Sequence, residues 1–172
     1  MKPVITASLL LFTASALASD YMADMDQIPV INGCKLERKA SCAGADLQGA
    51  DLSNMDLHSA NLRGANLSGA NISHTSLRGA NLDGANLDNV TGYRLQAYRA
   101  SMRGASLKNA QLQGMQGEYL FAQGADFSEA DLTGANFDFS RFSGATLVNA
   151  TMPFSSFEIS WMPKANLEGA NL

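Results

Sequence analysis

This 172-residue chain has few of the side chains that catalysis and metal binding draw on. It contains two histidines, two cysteines, one tryptophan and four prolines, and only 16% of its residues are charged. His58 and His74 stand alone, and a second cysteine pair is missing, so no set of donors has metal-site spacing. No G-x-S-x-G elbow occurs, and neither histidine has a serine and an aspartate in catalytic spacing. The glycines recur at regular intervals and never build a phosphate loop ahead of a helix. A net charge of −4, spread along the chain, disfavours nucleic-acid binding. Beyond the first residues no apolar run approaches the 18 needed to cross a bilayer, so no transmembrane segment is expected. The sequence therefore implies no cofactor, no metal and no enzyme.

The amino terminus does carry a signal. Lys2 is a basic start, Val4 to Phe12 an apolar run, and Ala16-Leu17-Ala18 a small-residue cleavage pattern. Residues 1–18 read as a signal peptide cleaved after Ala18, which places the mature protein in the periplasm or outside the cell. The "VINGC" stretch is the rival lipoprotein signal, but it stands well away from the apolar run. Cys34 and Cys42, with seven residues between them, are expected to pair in an oxidising compartment, two buried thiols being the alternative. Residues 19–44, with Pro29, Lys35, Arg38 and Lys39, form an amino-terminal segment suited to capping the rest of the chain.

From Ala45 onward the chain is a repeat. "ADLQGADLSNMDLHSANLRGANLSGANIS" (Ala45 to Ser73) places a large aliphatic residue at every fifth position. On an α-helix a five-residue step turns about 140°, which leaves no apolar stripe. On a straight strand an odd period sends successive leucines to opposite faces. A period of five needs a short extended stretch with its alanine and leucine both inward, then a corner that resets the alternation. From Ala45 to Leu172 the phase never slips through 26 pentads. Position one is Ala in 17 of them, and position three is Leu, Ile, Phe or Met in 22. Position two is mostly Asn or Asp in the early repeats, where the side chain can bond nearby amides and support a turn. Position five is Gly in 11 of 25 pentads and Asn in four, the residues that best tolerate positive φ.

Tandem A-[DN]-L-x-G over about three quarters of the chain resembles the pentapeptide repeat family. The resemblance implies an all-β fold, a right-handed quadrilateral β-helix with one pentad per side, four pentads per coil and about six and a half coils over residues 45–172. The expected core is Leu47, Leu52, Leu57, Leu62, Leu67, Ile72, Leu77, Leu82, Leu87, Met102, Leu107, Leu112, Phe127, Leu132, Phe137, Phe142 and Leu147.

Four pentads break the rule. Gly92, Ala97, Gly117 and Ala122 stand where the core leucine belongs, and a bulge or extruded loop is expected over residues 90–99 and 115–124. The same stretches carry Tyr93, Arg94, Tyr98, Arg99 and Tyr119, a candidate docking surface, since aromatics and arginine anchor interfaces. A second candidate surface is Phe154, Ile159 and Trp161, apolar at outward positions near the end of the chain, where an end-to-end homodimer through the last coil is expected. Asp126, Glu129 and Asp131 read as a solvated acidic face.

Three classes of function remain open. The leading one is a non-enzymatic exported structural or protein-interaction module whose partner the sequence does not identify. The family resemblance also implies a DNA-mimicking inhibitor of type II topoisomerases such as gyrase, but Arg63, Arg78, Arg103 and Lys108 interrupt any anionic stripe. A surface- or glycan-binding β-helix is third, although the position-four column Gln48, Ser68, Asp88, Lys108, Ser128, Val148 and Glu168 has no repeating chemistry.

Overall fold

The structure is a computed structural model and describes residues 28–172. The signal peptide expected over 1–18, its cleavage site at Ala18, and the first part of the 19–44 segment lie outside the described residues. The chain winds as a right-handed quadrilateral β-helix. Parallel bridges join each position-two residue to its counterpart four pentads on, from Ser41↔Asn61 to Thr151↔Asn171, without a slip. We number the faces from the coil that starts at Ala45: first 45–49, second 50–54, third 55–59 and fourth 60–64, each recurring every fourth pentad.

The pentad follows from where its backbone amides go. The position-two amide donates to the coil below (Asn61 N to Ala40 O, 2.8 Å), and those of positions three and five donate to the coil above (Leu47 N to Asn66 O, 2.7 Å; Gly49 N to Ser68 O, 2.9 Å). The position-one amide closes the corner, as Ala50 does on the Leu47 carbonyl at 3.1 Å. Only the position-four amide is left over. The Asn or Asp at position two takes it, as Asp51 accepts from Ser53 (3.1 Å) and Asn81 from Asp83 (2.9 Å). At Ser101 and Ser106 a carboxylate from the coil below substitutes: Asp83 accepts from the Arg103 amide (2.9 Å) and Asp88 from that of Lys108 (3.0 Å). Every position five from Gly49 to Gly169 has positive φ, including Arg99, Tyr119, Phe139 and Ile159.

All 17 of the expected core residues are buried. The bulge or loop expected at residues 90–99 and 115–124 does not form, for Thr91↔Gln111, Gln96↔Gln116 and Phe121↔Arg141 continue the ladder. The reason is an exchange of volume within the pentad. Val90, Leu95, Met115 and Leu120 occupy position one in the four exceptional pentads, and all are fully buried. The large side chain has moved two residues upstream, and neighbours fill the remaining space. A Cβ added at Gly117 would lie 2.8 Å from the Phe137 ring, and one at Gly92 would lie 2.8 Å from Leu112. Position one also takes buried hydroxyls, with Thr75 donating to the Leu52 carbonyl (2.7 Å) and Ser140 to that of Gly117 (2.9 Å).

The helix starts one pentad earlier than the boundary expected at residue 45. Ser41 already pairs with Asn61, and Cys42 sits at an inward position three, 3% exposed. Beneath it, strands β1 (Val30–Ile31) and β2 (Cys34–Lys35) form an antiparallel hairpin. Its two-residue turn, Asn32-Gly33, has φ of 49° and 80°, as a tight hairpin turn requires. A disulfide joins Cys34 to Cys42, and Asn32 Nδ2 donates to the Asp46 carbonyl at 2.7 Å, so the hairpin is tied to the first coil at two points.

Candidate functional site: an aromatic edge on the rod

The four edges of the rod are built from position-five residues, and they differ sharply. The edge between the fourth and first faces is glycine at six successive coils, Gly44 to Gly144, and then Lys164. The edge between the first and second faces is glycine or asparagine except for Glu129. The edge between the third and fourth faces reads Ser59, Gly79, Arg99, Tyr119, Phe139, Ile159. Spacing by four pentads lays the last four side by side along the rod axis. Tyr119 and Phe139 stack at 5.0 Å with planes 10° apart, and Tyr98 packs edge-on to Tyr119 at 5.5 Å. The Arg99 guanidinium lies over both tyrosine rings, at 5.2 and 5.5 Å, and that of Arg78 covers Tyr98 at 5.3 Å. Just around the edge, Arg103 and Arg141 flank the Phe121 ring at 4.8 and 5.5 Å, and Trp161 is bridged to Arg141 on the next coil.

The residues expected to dock a partner are thus regrouped. Tyr98, Arg99 and Tyr119 belong to this edge, and Ile159 and Trp161 extend it. Tyr93 and Arg94 sit across the third face, on its other edge, where with His74, Gln113 and Gly114 they line a shallow notch of about 340 Å³. Phe154 is on that second edge too, 91% exposed. Phe139 is absent from the residues that the sequence singles out, although its place four pentads from both Tyr119 and Ile159 is visible there. Among the described residues no group of His, Cys, Asp or Glu could hold a metal.

The acidic residues are engaged in turns. Asp126 accepts from the Ser128 amide and hydroxyl (2.9 and 2.6 Å) and pairs with Lys108 at 3.2 Å. Asp131 does the same with Thr133 (3.0 and 2.6 Å) and Gln113 (2.6 Å). Partial burial works against ionisation of both carboxyls, but these donors outweigh it and hold them below the ordinary value of 3.8. Glu129 occupies a corner between them.

Models of pentapeptide repeats match residues 38–73, 65–91 and 122–158, with eight copies, over more than half of the chain. The chain belongs to the pentapeptide repeat family. The unmatched stretch of this pentapeptide repeat protein, residues 92–121, holds most of the exchanged pentads, yet its coils are continuous with the rest. QnrB1, a plasmid-mediated fluoroquinolone resistance protein, has a similar structure, with 17% identity over 75% of this chain and 79% of that one and a TM-score of 0.56. HetL from the cyanobacterium Nostoc sp. strain PCC 7120, a pentapeptide repeat protein involved in heterocyst differentiation regulation, is 27% identical over 77% of this chain and 72% of its own, with a TM-score of 0.41. A pentapeptide repeat protein of the Arabidopsis thaliana thylakoid lumen is 26% identical over 57% of this chain and 58% of its own, with a TM-score of 0.38. No curated protein matches the sequence.

Proposed function

We propose that this pentapeptide repeat protein is a non-catalytic interaction module, exported from the cytoplasm, that binds a protein partner along the edge between its third and fourth faces. The observation that carries this reading is the run Arg99, Tyr119, Phe139, Ile159 at four successive corners of positive φ. A side chain with a Cβ costs about 1–2 kcal/mol in that conformation. Burial within the chain does not offset the cost, because Tyr119, Phe139 and Ile159 are 39%, 44% and 77% exposed. Positive φ is common to every corner, so what sets this edge apart is the exposed apolar stripe it carries where other edges hold mostly glycine or asparagine, and such a stripe points to a contact made with another molecule. The solid interior supports a non-catalytic role, since among the described residues inward positions are filled coil after coil and no cleft opens between them. The leader pattern ending at Ala18 and the Cys34–Cys42 bridge support export.

The DNA-mimic reading is less well supported, for Arg78, Arg99, Arg103 and Arg141 stand along this edge among its carboxylates and leave no continuous anionic stripe. The glycan reading is weakened because Tyr119 and Phe139 spend their ring faces on each other. End-to-end pairing through the last coil stays within the proposal, on the strength of exposed Leu167 and Leu172; light scattering of the full chain at rising concentration tests it.

The edge itself is tested by a photo-crosslinking residue at Phe139 in the exporting cells. A discrete crosslinked partner is expected, lost when Tyr119→Gly and Ile159→Gly are added. A crosslink that survives those changes, or an equal one from a probe at Asn109 on the opposite edge, between the first and second faces, would overturn the reading.

A further inference from the structure

We infer that the partner is an extended acidic protein segment lying along the fourth face, against the wall made by Tyr119, Phe139 and Ile159. This rests on the edge being the contact surface and adds the chemistry of the molecule it contacts. The outward positions of the fourth face carry Arg63, Arg103, Arg141 and Lys164 against a single carboxylate, Asp83, in a molecule whose net charge is −4. Asp83 is already occupied, accepting from Ser101 and the Arg103 amide and lying 3.6 Å from the Arg103 guanidinium. The ion pairs among the described residues are Lys35–Glu37, Arg38–Asp56, Arg103–Asp83 and Lys108–Asp126, so Arg63, Arg141, Lys164 and Arg99 belong to none of them.

The two flanks of the wall are opposite in sign. On the third-face side stand Glu118, Asp138 and Glu158. Glu118 accepts from Asn136 (3.2 Å), and Asp138 accepts from the Ser156 hydroxyl and the Glu158 amide. An acidic segment is repelled on that side and attracted on the other. Shape agrees with charge, because the far margin of the fourth face is the glycine edge, where no side chain stands up before Lys164. The result is a shelf with an apolar wall on one side, an open margin on the other, and a floor that includes Phe121 and Trp161. Its cations recur along the axis, Arg63 and Arg103 at position four, Arg141 at position two and Lys164 at the corner, on coils stacked about 4.8 Å apart, which suits an extended chain lying parallel to the rod axis.

The test uses the full chain and two fluorescent twelve-residue peptides, one repeating Glu-Leu-Ser and the other Lys-Leu-Ser, read by polarisation. The acidic peptide is expected to bind at least tenfold more tightly, to weaken several-fold in 0.5 M NaCl, and to lose its advantage in Arg141→Glu/Lys164→Glu. Lys108→Glu on the first face is expected to change nothing, and an unaltered circular dichroism spectrum shows that the variants fold. Equal binding of the two peptides, or a preference that survives the double substitution, overturns the inference. So does self-association through this face, seen as a mass doubling that the double substitution abolishes, or stronger binding to phosphatidylglycerol vesicles than to the peptide. If the Phe139 crosslink depends on the edge but the peptides show no preference of sign, this inference fails while the proposed function stands. If the crosslink is indifferent to the edge, the proposed function itself fails.

Discussion

Ile159 has φ of +54° and is 77% exposed, an unfavourable place for a β-branched residue. Replacing it with glycine removes about 1–2 kcal/mol of backbone strain and adds about 0.5–1 kcal/mol of chain entropy cost. Ile159→Gly should therefore leave stability unchanged or raise it by about 0.5–1 kcal/mol, while weakening the partner crosslink; urea denaturation beside the crosslinking assay checks both. Asp131 makes a second prediction at this scale. Its carboxyl titrates lower when folded than the usual 3.8, so below that value the unfolded chain binds more protons. Its stabilisation is complete above the ordinary carboxylate range and is lost as pH falls through the lower folded value. Asp131→Asn keeps an oxygen for the Thr133 amide, and the Gln113 amide, whose Oε1 has no partner, can turn to meet the new group. Stability at pH 7 should change little, and its decline in acid should become shallower in melting curves from pH 2 to 7.

The pentad is the element of this fold, and its large inward side chain can stand at position one or position three, with neighbouring coils making up any difference in volume. Met115 with Gly117 is smaller than Ala135 with Phe137 one coil above, and the Phe137 ring lies against Gly117 to fill the difference. Met115→Ala alone leaves a cavity and should cost about 2–5 kcal/mol. Gly117→Leu alone drives a side chain into the Phe137 ring and should cost about 1–3 kcal/mol or more. Together the two changes restore the ordinary pentad, so the double variant should be more stable than the sum of the single costs, with a coupling of about 0.5–3 kcal/mol from a denaturation cycle. The same principle explains how much is legible in the sequence. The unbroken phase from Ala45 reveals the corners and the inward leucines. The exchanged pentads read as loops when position three is judged alone, without weighing the unusual Val90, Leu95, Met115 and Leu120 beside it. The aromatic edge is half visible, because nearness in the chain groups Tyr93, Tyr98 and Tyr119 together. Registration by whole coils separates Tyr93 from the others and brings in Phe139.

At the scale of the whole rod, each coil touches only the coils on either side, so the contributions of separate ends add. The amino-terminal hairpin is held by the Cys34–Cys42 bridge, which closes a loop whose entropy corresponds to about 2–3 kcal/mol. Cys34→Ser/Cys42→Ser, or reduction with dithiothreitol, should lower stability by about that amount. Hydrogen exchange should rise at Cys42, Gly44 and Leu47 and stay unchanged around Phe127. The coil-to-coil register also makes the molecule mechanically directional, because the amide bonds between coils run parallel to the axis. Tension applied between its two ends loads them one turn at a time, like thread drawn off a spool. In an optical trap such pulling should release steps of about 70 Å of contour, whereas a pull between opposite faces would have to break a whole layer at once.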